Sequence, residues 1–159
     1  MKILTKYHGE REYEEKDIIL FDKGLPGFEN LNKFIMFQAE ENEIFNILHS
    51  IEDSGIGFIV ISPFNVMEDY EVDIPDKCIE ELNIKKPEDV LIVNTVTINS
   101  NLKNITTNLQ APIIINIQDK KGEQIILDKE EYSIKYPIFR EWKYASDFKE
   151  EKWIYFNWW

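Results

Sequence analysis

Cysteine is nearly absent from this chain. Cys78 is the only one in 159 residues, so no internal disulfide can form, which suits a reducing cytoplasm. Histidine is almost as scarce, with only His8 and His49. No Cys or His pair has metal-ligand spacing, which argues against a structural zinc site. Glycine is sparse and never clusters into a phosphate-cradling loop. The stretch Gly24-Leu25-Pro26-Gly27 is too short and too proline-bound for that. Long hydrophobic runs are missing as well. The best are Phe58 to Ile61, and Pro112 to Ile115 before Asn116 interrupts, far below the ~18 apolar residues of a membrane helix. The opening residues MKILTKYHGE offer no signal-peptide core. Together these absences lead us to expect a soluble cytoplasmic protein with no cofactor. Basic residues are in deficit, 18 Lys and Arg against 30 Asp and Glu, for a net charge of −12. Phosphate contacts need clustered cations, so neither a nucleic acid nor an anionic membrane is an apt partner. A basic protein surface is.

The chain does hold short segments rich in β-branched residues. Asp17 to Phe21, Phe34 to Phe37, Phe45 to Ile51, Gly57 to Ser62, Leu91 to Ile98, Pro112 to Gln118 and Gln124 to Leu127 are each strand-sized. Turn chemistry separates them, for example Asp119-Lys120-Lys121-Gly122. Ile3 to Tyr7 and Arg11 to Tyr13 flank His8-Gly9-Glu10 and predict an N-terminal hairpin. Helix is limited to Pro75 to Leu82, with proline in the first turn and Cys78, Ile79 and Leu82 on one face. Glu29 to Lys33 could add a single turn. A mainly β fold follows: a small antiparallel β-barrel or sandwich-like domain with one short helix. Closing such a sheet into a barrel would remove its exposed edges.

The negative charge is uneven. Glu29 to Asp53 carries −5 and Phe64 to Asp89 carries −6, whereas Val90 to Asp128 is neutral. The plainer reading is solvated loops; the functional one is a docking surface for a basic protein.

Residues for chemistry are few. A triad needs a nucleophile, a histidine and an acid together, and Ser50, Ser62 and Cys78 lie in no nucleophile-elbow pattern. Glu68 to Asp73 lacks the glycine and terminal glutamate of a calcium loop. Two stretches read as structural. In the first, Gly24, Pro26 and Gly27 suit a type II turn anchored by buried Leu25 and Phe28. In the second, Thr106 to Ile113, Asn108 can cap backbone groups and Pro112 belongs at a strand start.

At these two motifs the sequence resembles the flagellar assembly factor family FliW. The matching features are Asp17 to Phe21, Gly24-Leu25-Pro26-Gly27-Phe28-Glu29, Ser50-Ile51-Glu52-Asp53, Phe58 leading to Pro63, and Thr107 to Ile113. Gln124 to Leu127 and Tyr132 continue it, as far as about Arg140. The resemblance implies a non-enzymatic β-barrel-like protein of the bacterial cytoplasm. It would bind flagellin before export and also bind the RNA-binding translational regulator CsrA, relieving repression of flagellin mRNA in a partner switch. Under it, Glu68, Asp69, Glu71 and Asp73 become candidates for the CsrA surface. Phe64 and Tyr70, taken as exposed aromatics, become candidates for flagellin. The alternative from another class is a β-barrel that binds a small ligand, which would need a pocket with convergent polar groups.

The match is expected to define a domain of residues 1–140. Residues 141–159 go beyond it and carry all four tryptophans, Trp142, Trp153, Trp158 and Trp159. Asp147 with Glu150 has the spacing of a helix capping box. This extension can fold back over the barrel, the first expectation, or pair two copies into a homo-oligomer, or occupy a partner site.

Overall fold

Seven strands form a ring. The computed structural model describes residues 1–40 and 42–139, and the predicted aromatic extension 141–159 lies outside them. An N-terminal hairpin comes first, β1 (Lys2–Thr5) with β2 (Gly9–Glu12). The ring itself uses β3 (Ile19–Leu20), β4 (Lys33–Gln38), β5 (Phe45–Ser50), β6 (Gly57–Ile61) and β7 (Val90–Thr97). After the short β8 (Thr106–Thr107) it is completed by β9 (Ile113–Asn116) and β10 (Lys121–Gln124). A last strand, β11 (Tyr136–Pro137), pairs with β8. The order β7-β6-β5-β4-β3-β10-β9 closes because β9 also pairs with β7, from Val90↔Asn116 to Val93↔Ile113. Among the described residues every strand pairing is antiparallel except β3 with β10, a single parallel bridge between Leu20 and Lys121. The expected barrel is therefore present, with this one mixed joint.

Period-2 alternation decides which side chains fill it. Phe34, Leu48, Val60, Val93, Ile113 and Ile115 point inward with Ile19, Phe21 and Leu25 to form the central core. Phe21 and Phe34 meet edge to face, ring centroids 5.3 Å apart. The barrel is thus filled by its own side chains. The alternate residues face outward and need cover. Helix α1 (Asp76–Glu81) lays Cys78 and Leu82 over Ile114. It ends in a Schellman motif, with Asn83 at φ 55° and the Ile84 N–H donating to the Ile79 carbonyl. On the other side, Phe45, Ile47, Ile59 and Ile61 are covered by Ile105 and Phe139.

Two sequence expectations shift. The strand expected at Gln124 to Leu127 begins earlier, at Lys121. The turn before it is tighter than the composition suggested. The Asn116 side chain accepts from the Gln118 and Asp119 N–H groups, and Lys120 takes a positive φ of 55°. The chain therefore re-enters the sheet at once. The first hairpin likewise turns at Lys6 to His8 rather than around Gly9, which opens β2 with φ 74°.

Both structural motifs are built as expected, with one difference. Gly27 has φ 86°, and the Phe28 N–H donates to the Leu25 carbonyl (2.7 Å), closing the turn over Pro26. Leu25 is buried, but Phe28 is only half-buried, because it packs edge-on against Phe58 beside an open groove. In the second motif the Asn108 side chain accepts from the Gln110 N–H, Thr107 donates to the Thr95 carbonyl, and Pro112 immediately precedes β9. Asn94 donates to the Asn108 carbonyl (2.7 Å), tying this turn to β7.

Candidate interaction surface

The segment from Glu68 to Asp73 leaves the barrel after β6 and a single turn at Pro63–Asn65. Its burial alternates. Tyr70 is buried and Val72 half-buried, while Asp69, Glu71 and Asp73 are exposed, as is Glu68. Glu68 and Asp69 lie in a turn closed by the Tyr70 N–H on the Met67 carbonyl, and Asp69 and Glu71 line one recess. With Asp73 they form an acidic edge exposed to solvent.

Two tyrosines hold that edge in place. The Tyr70 hydroxyl donates to the Leu109 carbonyl (2.6 Å), and its ring stacks on Tyr132 with centroids 4.7 Å apart. The Tyr132 hydroxyl accepts from the Glu71 backbone N–H (2.8 Å). Burial raises the Tyr70 phenol above its usual range, so it stays a donor at neutral pH. Tyr70 is thus an anchor, only 3% exposed, which corrects its expected role as an exposed docking aromatic. An aromatic flanked by acids on a page of sequence reads as surface; the carbonyl waiting at Leu109 is a tertiary feature. Phe64 is exposed, as expected, and its ring stands edge-on to Tyr70 at 6.0 Å.

Beside this edge lies a recess of about 370 Å³ lined by Met67, Asp69, Glu71, Lys129, Glu131 and Tyr132. Sequence reasoning missed Glu131, which lies about sixty residues downstream and reaches the recess through Tyr132. Among the described residues none of Glu68, Asp69, Glu71 and Asp73 forms an ion pair. The earlier acidic segment behaves differently. Glu52 accepts from the Asn32 and Lys33 N–H groups, Asp53 from Gly55 and Glu29 from Gly27, while Glu40 pairs with Arg11 at 3.2 Å. These carboxylates close turns and hold the hairpin, whereas those at 68–73 face outward.

The histidines sit together on the opposite concern, docking the hairpin. His8 lies 6.1 Å, centroid to centroid, from both Phe37 and His49, and the Arg11 guanidinium covers Phe37 at 4.3 Å. His49 is buried and donates through Nδ1 to the Ser50 carbonyl. Burial, then the neighbouring His49 and Arg11, push His8 down to about 4 from 6.5, and burial lowers His49 too. The unfolded chain therefore takes up protons first. Stability is fully present above about pH 6.5 and falls as pH drops toward 4. Glu29 and Glu81, lowered by backbone hydrogen bonds and by Lys23 respectively, lose their contributions only at lower pH. Urea midpoints at pH 7 and pH 5 should thus differ, and His8→Gln should shrink the difference. An unchanged pH dependence in that variant would remove His8 from the account.

Among the described residues no cluster of three or more His, Cys, Asp or Glu could hold a metal ion, and no helix is long and apolar enough to cross a membrane. Cys78 is buried, which with nearby carboxylates pushes its thiol up to about 12. A second opening, about 790 Å³, lies between β6 and β7 and is walled by Phe28, Phe58, Ile59, Val96 and Ile98, among others. Its polar lining includes Thr95, Thr97, Asn99 and Ser100 from β7 and the loop after it, and Tyr7 from the N-terminal hairpin.

The FliW protein family model matches residues 2–138. A flagellar assembly factor FliW from Clostridium kluyveri is 60% identical over 140 residues, covering 88% of this chain and 97% of that protein. Its counterpart from Clostridium tetani is 60% identical over 141 residues, 89% of this chain and 97% of the relative. A crystal structure of a flagellar assembly factor FliW superposes with a TM-score of 0.83 at 39% identity, across 89% of this chain and 99% of that one.

Proposed function

This chain belongs to the FliW family of flagellar assembly factors, and from that premise we propose that it works as a non-enzymatic adaptor that binds flagellin and the translational regulator CsrA in turn. The observation that carries the CsrA half is the outward edge of Asp69, Glu71 and Asp73, continued by Glu68 and by Glu131 across the recess. These carboxylates have no cation within ion-pairing distance among the described residues and are fixed from behind by Tyr70 and Tyr132. A protein that holds RNA must be basic where it does so, and an acidic edge meets it with complementary potential. Acids held near that RNA surface also weaken RNA binding. By linkage, RNA then weakens the adaptor by the same factor.

For flagellin the support is thinner in area. Phe64, 48% exposed and adjoining the acidic edge, offers an apolar contact for an amphipathic helix. If one surface serves both partners, they exclude one another, and export of flagellin frees the adaptor for CsrA. Co-purification from the native organism tests the reading. Recovery of both flagellin and CsrA, with each displacing the other in vitro, is the expected result; recovery of neither removes the assignment and leaves the fold standing.

A further inference from the structure

The barrel has an incomplete seam. β6 and β7 pair only at Val60↔Thr95 and Ile61↔Asn94, although β6 runs back to Gly57 and β7 runs on to Thr97. Past these pairs the two strands part around the opening of about 790 Å³. In an antiparallel ladder successive residues turn their backbone groups to opposite edges of the strand. The Ile56 carbonyl accepts from the Ser50 N–H on the β5 side, so Gly57 turns its N–H and carbonyl the other way, into the opening. Among the described residues no strand stands opposite Gly57 on that side. On the facing wall the Thr95 carbonyl is committed to the Asn108 N–H and the Thr107 hydroxyl, and β7 continues by pairing with β8. An unpaired strand edge of this kind accepts an extended segment.

The walls define the chemistry of such a segment. Phe58 packs against the interior cluster and stands edge-on to Phe28 at 5.2 Å, while Val96 and Ile98 pack against the outer cluster. A strand laid along β6 sends alternate side chains to opposite faces, so both of its faces meet apolar surface. None of the residues lining the opening is charged, in a chain where 30% are. A charged side chain of either sign would therefore give up water and find no counter-charge. The β6 wall from Gly55 to Ile59 is about 16 Å long at the rise of a strand, room for about five residues.

We propose that this opening is a docking site for an extended, uncharged and mainly apolar segment of a partner protein. The segment adds as a strand to the edge of β6 at Gly57, with side chains on Phe28 and Phe58 to one face and on Val96 and Ile98 to the other. The site is separate from the acidic edge at 68–73, which suits a basic partner, and failure of the CsrA and flagellin assignments would leave it standing.

Selection of random linear peptides, displayed on phage, against the full chain tests the proposal. The expected survivors share a run of uncharged, mainly apolar residues and bind as synthetic peptides, shifting the Gly57 amide in NMR spectra. Only one edge of an added strand pairs with β6. N-methylation of alternate peptide residues should therefore abolish binding in one phase and leave it in the other. Ile98→Glu should weaken binding several-fold, whereas Ile126→Glu, at a site 79% exposed and outside the opening, should not. No enrichment, enrichment of basic peptides alone, or equal tolerance of the two N-methylated phases would each overturn the proposal. So would NMR contacts that place residues 140–159 or a second copy against the Ile98 methyl groups before any peptide is added.

Discussion

Gly24→Ala is expected to lower the stability of the barrel by about 3 kcal/mol, read as a shift in the urea or thermal midpoint. Gly24 sits at φ 64°, where an added Cβ lies 2.6 Å from the Glu29 Cα and 2.7 Å from the Phe28 carbonyl oxygen. Neither neighbour can swing aside, because both are backbone. A left-handed alanine alone costs about 1–2 kcal/mol, and forcing atoms into a packed site adds about 1–3 kcal/mol. For a domain of this size that corresponds to a loss of about 10 °C in Tm. Gly27, three residues on, separates the two contributions. Its φ is 86°, but a Cβ there meets nothing within 4 Å. Gly27→Ala should therefore cost only the conformational term, about 1 kcal/mol. Equal losses in the two variants would show that the close approach at Gly24 is not what makes glycine necessary.

Reversing Glu68, Asp69, Glu71 and Asp73 to lysine is expected to weaken CsrA binding by about 100-fold, or about 2.8 kcal/mol. The change turns attraction into repulsion at four exposed positions, and like-charge contacts at an interface cost several kcal/mol. The barrel should tolerate it. All four side chains face solvent, and the anchors behind them, Tyr70 and Tyr132, are untouched. Titrations of CsrA across a salt series check the cause. The difference between parent and variant should narrow as the screening length falls from about 10 Å at 0.1 M to about 3 Å at 1 M. Affinity that does not move with either charge or salt would take these carboxylates out of the interface. Tyr70→Phe is a poor substitute, since it disturbs the anchor and the edge together.

Much of the barrel can be read in the sequence, because its strands are short β-branched runs and alternation is a local signal. β4, β5, β6 and β7 fall within a residue or two of their expected places. So does the type II turn at Pro26-Gly27, whose chemistry is confined to four residues. β10 falls outside this rule. Its start depends on how Asn116 folds back to hold the Gln118 and Asp119 N–H groups, and composition shows only that a turn is near. The acidic surface is legible as a run of like charges and not as an edge. Which acids face outward follows from Tyr70 finding the Leu109 carbonyl, 39 residues away. Nothing in the charge pattern distinguishes Glu68 to Asp73 from Glu52 and Asp53, which serve turns instead.

The ring of strands is uneven in a way that bears on how it forms and opens. It is joined at two thin places, the single bridge of β3 with β10 and the two residue pairs of β6 with β7. Between them lie two well-paired arcs. One runs from β3 through β6, residues 19–61, and the other joins β7, β9 and β10, residues 90–124. Each arc is continuous in sequence, so its contacts close short loops and can form early. What clasps the arcs is mainly apolar contact across the interior, Phe34, Leu48 and Val60 from one against Val93, Ile113 and Ile115 from the other. The molecule is in this sense a clamshell of two consecutive halves rather than a uniform cylinder, and its slowest fluctuations should part the shells along those two lines before either shell unravels.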